Sequence, residues 1–125
     1  MSNTTINSSG VTFPDSSTQA SSSGVAKAWV NFVGSSSPTI TNSYNVSSVT
    51  ATSAGFWVVN LTNALTDANF LTFANAYYST YNGAWSGDVM NGRPISSSSA
   101  QISNNAIGVG NRYMGGGNVQ AIFYR

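Results

Sequence analysis

The chain reads as an all-β protein: a compact antiparallel β-sandwich of Greek-key or jelly-roll type, preceded by an extended N-terminal arm. Three observations predict this. The apolar runs are short and alternate with a period of two. Their apolar residues are mostly β-branched or aromatic, the types that suit a pleated, half-buried surface. Between the runs stand clusters of Ser, Thr, Asn and Gly, which are turn residues. With 41% hydrophobic and 12% aromatic residues, the chain carries too much apolar material to stay disordered. The boundaries expected are residues 1–25 for a polar arm and linker, and 26–125 for the sandwich.

The arm is polar but not uniform. Ile6, Val11 and Phe13 are its apolar side chains, and Pro14-Asp15 is a turn signal. Residues 16–23 read as a flexible linker. An isolated strand gains little by itself, so Ile6, Val11 and Phe13 are expected to dock on another chain; the alternative is a disordered tail.

The first long apolar run is Ala26-Lys27-Ala28-Trp29-Val30-Asn31-Phe32-Val33. Ala28, Val30 and Phe32 fall on one side and Lys27, Trp29 and Asn31 on the other, as in a half-buried strand. Trp29 is expected to anchor the core or a subunit contact, because so large a ring is rarely left exposed. Gly34 to Pro38 is a loop. Two short strands follow, over 39–41 and 44–50, with a bulge expected where Val49 breaks the alternation. Thr52-Ser53-Ala54-Gly55 is a turn. Phe56 to Thr62 is the strongest strand, with Trp57, Val59 and Leu61 on one face and Phe56 and Val58 on the other. Apolar residues on both faces predict burial on both, by a second sheet or a neighbouring subunit.

Residues 66–81 fit two patterns: Phe70, Ala74, Tyr77, Tyr78 and Tyr81 fall near helical spacing, whereas Phe73, Asn75, Tyr77, Ser79 and Tyr81 alternate. The aromatic content favours a strand, with 64–69 as a connecting corner. A Gly-punctuated loop or hairpin follows over 81–93. Strands are then expected over 95–102, 107–113 and 119–124, with Gly115-Gly116-Gly117 as the last turn.

Charge is the outlying property. Four basic and three acidic residues give a net charge of +1, too little to build a phosphate-binding stripe, so nucleic acid is excluded as a partner. The low charge also gives little repulsion between copies, which argues against a lone monomer. The absence of Cys and His removes thiolate and Ser-His chemistry and leaves zinc only scattered aspartates. No metal and no cofactor is expected. In the body of the chain only Asp67 and Asp88 are acidic, and Asp67 stands in a corner where it would bond local backbone. A catalytic carboxyl pair is therefore not expected, and the chain reads as a non-enzyme. Residues 1–5 lack the basic and apolar regions of a secretory signal. No run is long enough to span a membrane.

Lys27-Ala28-Trp29-Val30-Asn31-Phe32, followed by Ser43-Tyr44-Asn45-Val46-Ser47-Ser48-Val49-Thr50, resembles a module of bacteriophage tail-fibre-like proteins. The likeness continues through Val59-Asn60-Leu61-Thr62 and Ala64-Leu65-Thr66-Asp67-Ala68-Asn69-Phe70. The arm stretch Gly10-Val11-Thr12-Phe13-Pro14-Asp15-Ser16-Ser17-Thr18-Gln19 is similar to a short segment of phage fibres. The likeness covers the first half to two-thirds of the chain. It implies a virion component, assembled in the host cytoplasm: a homotrimeric tail fibre, spike or tip that contacts other virion proteins through its arm and reads a host-surface glycan. The alternative is a head-fibre or decoration protein with a purely structural role. A free carbohydrate-binding module of a bacterial enzyme is disfavoured by the missing signal peptide.

The candidate glycan site is Tyr78, Tyr81, Asn82, Trp85, Asp88, Asn91 and Arg93, close together in a Gly-rich span that also holds Tyr77. Aromatic faces stack on the apolar faces of sugars, while Asn, Asp and Arg bond hydroxyls. The competing explanation is that these rings pack in the core or between subunits. Arg112 and Tyr113 form a weaker second candidate.

Overall fold

The computed structural model describes residues 3–7, 10–16, 18–19, 25–77, 88–106, 110–111 and 117–125. Every regular element among them is a strand, and all pairings are antiparallel. The all-β sandwich expected from the sequence is the fold observed.

The arm pairs with itself. β1 (Thr5–Asn7), β2 (Gly10–Thr12) and β3 (Thr18–Gln19) form a small meander in which Ile6 lies opposite Val11 and Val11 opposite Gln19. Pro14 and Asp15 turn the chain as expected. Ser16 completes the turn at φ 66°, its N–H donating to Phe13 O at 3.0 Å. The strand that was to gain a partner on another chain thus has its first partners within the arm. Residues 18–19, expected as linker, form β3. Ile6 is nonetheless 81% exposed and Phe13 40%.

The body is two packed sheets. One has the order β5-β4-β12-β8, from β5 (Ile40–Tyr44), β4 (Ala26–Val33), β12 (Asn118–Tyr124) and β8 (Leu71–Tyr77). The other runs β6-β7-β10, from β6 (Val46–Ser53), β7 (Phe56–Leu61) and β10 (Ser99–Ala106). β9 (Asp88–Ser96) pairs with the far edge of β10, and the short β11 (Gly110–Asn111) extends the near edge. Ala28, Val30 and Phe32 on β4 meet Val119, Ala121 and Phe123 on β12 in one buried layer. Trp57, Val59 and Leu61 on β7 form the opposing layer with Ala100 and Ile102 on β10. The period-two faces read from the sequence for β4 and β7 are those the core uses. Phe32 meets Trp57 edge-on at 5.7 Å, and the buried Trp57 indole donates to Ser35 O at 2.9 Å.

Several boundaries differ from the sequence expectation, each for a local reason. Residues 39–50 hold two strands, but they divide at Asn45 and belong to different sheets. Asn45 adopts φ 54°, a left-handed conformation that Asn tolerates. Its Nδ2 donates to Lys27 O and Asn63 O, both at 3.1 Å, and its Oδ1 accepts from Asn63 N at 2.8 Å. Tyr44 therefore points out of the first sheet while Val46 packs on the core. The bulge expected near Val49 lies between Val46 and Ser48 and turns both valines inward.

Residues 71–77 are a strand, which decides between the two patterns there. The strand expected over 95–102 is instead a hairpin that turns at Ser97-Ser98, between β9 and β10. Asn91 and Arg93, expected in a loop or hairpin, lie in β9, the first strand of the β9–β10 hairpin. Where β9 crosses under β8, a Cβ on Gly92 would collide with the Thr72 side chain and stand 3.3 Å from Ile102 Cδ1. A glycine lets the two sheets approach there.

Candidate functional site

The outward face of the β5-β4-β12-β8 sheet is not the polar surface expected of a solvated sheet. Trp29 lies opposite Tyr44 on one side and Ile122 on the other, and Ile122 lies opposite Phe73. One row of Tyr44, Trp29, Ile122 and Phe73 thus crosses all four strands. Directly opposed side chains have Cβ atoms about 5 Å apart, so the row is continuous. Two residues along each strand runs a second row: Asn42, Asn31, Gln120 and Asn75, in the same register. Four side-chain amides stand beside an apolar, mostly aromatic strip.

Trp29, Ile122 and Phe73 of the first row and the four residues of the second line an open groove of about 650 Å³, within the range of roughly 300–1,000 Å³ usual for ligand sites. No charged side chain lines it. Asn31 Oδ1, within the amide row, is buried with no hydrogen-bond partner among the described residues, while Asn42, Gln120 and Asn75 are exposed. Phe73 meets Tyr124 edge-on at 6.1 Å, which steadies the ring at the β8 end of the strip.

The loop site expected from the sequence is placed only in part. Tyr78, Tyr81, Asn82 and Trp85 lie outside the described residues, as do Arg112 and Tyr113. Asp88 opens β9 with its backbone opposite Ala106. Asn91 and Arg93 point outward from β9, and Arg93 Nε donates to Gln101 Oε1 at 2.8 Å. They therefore stand on the outer face of the second sheet and do not join the groove. Of that constellation only Tyr77 shares the groove's face, beyond the amide row on β8.

Asp67 behaves as its corner position implies. Its Oδ1 accepts from Asn69 N at 2.7 Å, and its Oδ2 meets Arg125 Nη2 at 2.5 Å. Among the described residues no group of His, Cys, Asp and Glu is arranged to hold a metal ion, and no helix is long and apolar enough to cross a membrane.

Trp29 was expected at a core or a subunit contact. It does not enter the core; at 36% exposed it lies in the strip on the outward face. The groove was missed because its residues come from four strands distant in sequence. A signal was present all the same. Trp29-x-Asn31 and Phe73-x-Asn75 have the same spacing and order, and Asn42-x-Tyr44 and Gln120-x-Ile122 have the reverse order. Antiparallel neighbours must carry such a pair reversed if the two kinds of residue are to align.

Comparison with protein-family models, with curated proteins and with solved structures finds no match for this chain.

Proposed function

We propose that this protein is a non-enzymatic bacteriophage virion component of the tail-fibre or spike type, assembled as a homotrimer, that contributes to recognition of a host-surface glycan. The observation that carries the reading is the uncharged groove with an aromatic strip beside a row of amides. Rings of this kind cover the apolar face of a sugar, and carboxamides both donate to and accept from its hydroxyls. The resemblance of the Lys27-to-Phe32 and Ser43-to-Thr50 stretches to tail-fibre-like modules supports the virion assignment. Three copies of a weak site on one rigid assembly give avidity that none has by itself. The arm, with Ile6, Val11 and Phe13, is the segment assigned to attachment on other virion proteins.

A second reading, a head-fibre or decoration protein, is favoured by one feature. Ile6 and Phe13 remain exposed although the arm has formed its own sheet, leaving apolar surface suited to a shell protein. A cryo-EM map of the phage particle separates the two. Three copies at the tail or its tip, with the β5-β4-β12-β8 face outward, support glycan recognition. Many copies on the capsid, with Ile6 and Phe13 wedged between shell proteins, replace it with the decoration role. Light scattering of the purified chain is expected to give a trimer; a monomer removes the avidity argument.

A further inference from the structure

Resting on the glycan-binding reading above, we infer that the groove takes a single, uncharged glycan chain lying across the four strands, along the row Tyr44–Trp29–Ile122–Phe73. The chemistry of the lining argues for a glycan over a second copy of this chain. Trp29, Tyr44 and Phe73 present exposed rings, but a partner subunit lying flat on them would also bury the exposed amides of Asn42, Gln120 and Asn75, each needing a bond. A polyhydroxylated chain brings those bonds with it.

Direction follows from register. The strip spans three interstrand steps, roughly 14 Å, and runs across the strands, with the amides parallel to it on one flank. A chain along this line stacks on the rings and turns one edge of hydroxyls to the exposed Asn42, Gln120 and Asn75. A chain along β4 would meet Trp29 and then Asn31 and stack only once, and one along β8 would find Phe73 and Tyr77 separated by Asn75.

The twist of the sheet narrows the class further. Successive strands rotate by about 20–25°, so the strip turns by roughly 60–75° from end to end. A flat polysaccharide crystal face touches such a strip at one ring, whereas a free chain can wind with it. Charge narrows it again. Anionic glycans are held by Arg or Lys, and neither lines the groove.

The test is a titration of the 125-residue chain, followed by amide NMR, with soluble hexasaccharides of glucose, xylose and N-acetylglucosamine in defined linkages. Oligogalacturonate serves as the anionic counterpart and crystalline cellulose as the flat one. The expected result is that a neutral hexasaccharide shifts the amides of residues 29, 31, 75 and 120. Oligogalacturonate leaves them unmoved, and cellulose does not retain the protein. Trp29→Ala and Phe73→Ala, both at exposed positions, each weaken binding about tenfold with the spectrum of the core unchanged, and Gln120→Ala weakens it by less. The inference is overturned if no neutral hexasaccharide moves these amides, if both variants bind as the parent does, or if Trp29→Ala dissociates the oligomer, which would make the face a subunit contact. Adsorption separates this failure from that of the proposed function. If the parent and the Trp29→Ala variant compete equally with phage for host cells, receptor binding stands and this groove is not its site. If neither competes, the receptor reading fails, whatever the titration shows.

Discussion

Two residues carry more of the architecture than their size suggests. Asn45 combines a left-handed backbone with three side-chain hydrogen bonds that join the β4, β5–β6 and β7–β8 segments. Alanine at this position loses the bonds and strains the backbone. Its expected cost is about 2–4 kcal/mol in urea unfolding, whereas Asn45→Gly keeps the conformation and costs less. Gly92 is the second. Gly92→Ala forces a methyl group into the Thr72 side chain and is expected to cost about 1–3 kcal/mol. Thr72→Ala removes the obstructing methyl along with a buried hydroxyl that has no partner among the described residues. The double variant should therefore be more stable than the sum of the two single changes, a coupling that a double-mutant cycle measures.

Among the elements, β12 has the most to hold. It is the last strand of the chain and lies between β4, the first strand of the body, and β8. Its Val119, Ala121 and Phe123 are buried, and Phe123 packs edge-on against Phe70 at 6.0 Å. Phe123→Ala is expected to cost about 3–5 kcal/mol, read from denaturant midpoints. Native-state hydrogen exchange should find the amides of β4, β12, β7 and β10 the slowest, since each is paired on both sides over a buried face. β12 also shows how one strand serves two purposes. Its odd-numbered residues from 119 to 123 build the core, and Gln120 and Ile122 between them line the groove. A one-residue slip would exchange the two sets, so core burial and groove composition hold the register together.

At the scale of the whole molecule the scarcity of charge governs behaviour. The chain has no His and no Cys, and three acidic residues, so none of its side chains has an ordinary pKa between roughly pH 6 and 8. Stability changes with pH only where folding changes proton binding. The thermal midpoint is therefore expected to stay flat across that interval and to move little between low and high salt. The exposed Arg125–Asp67 pair is worth at most about 1 kcal/mol to screening. Differential scanning fluorimetry across a pH and salt grid checks both. A steep dependence would point to charged groups meeting across a subunit contact.

The sequence by itself determined the class of fold and the core faces of β4 and β7. Alternation places Ala28, Val30 and Phe32 together, and Trp57, Val59 and Leu61 together, whatever strands they meet, because the strand period is a local property of the backbone. It also determined that no thiolate or imidazole chemistry is available, since the chain has no Cys and no His. Partition between sheets was not legible. Residues 39–50 read as two short strands, over 39–41 and 44–50, and only the left-handed turn at Asn45 sends β5 and β6 to different layers. Nor did residues 95–102 reveal their hairpin, because Ser97 and Ser98 resemble the serines on either side. The groove belonged wholly to the tertiary structure. Trp29, Asn42, Phe73 and Gln120 lie far apart along the chain, and strand order, which is set by long-range pairing, is what aligns four spaced pairs into one aromatic strip and one row of amides.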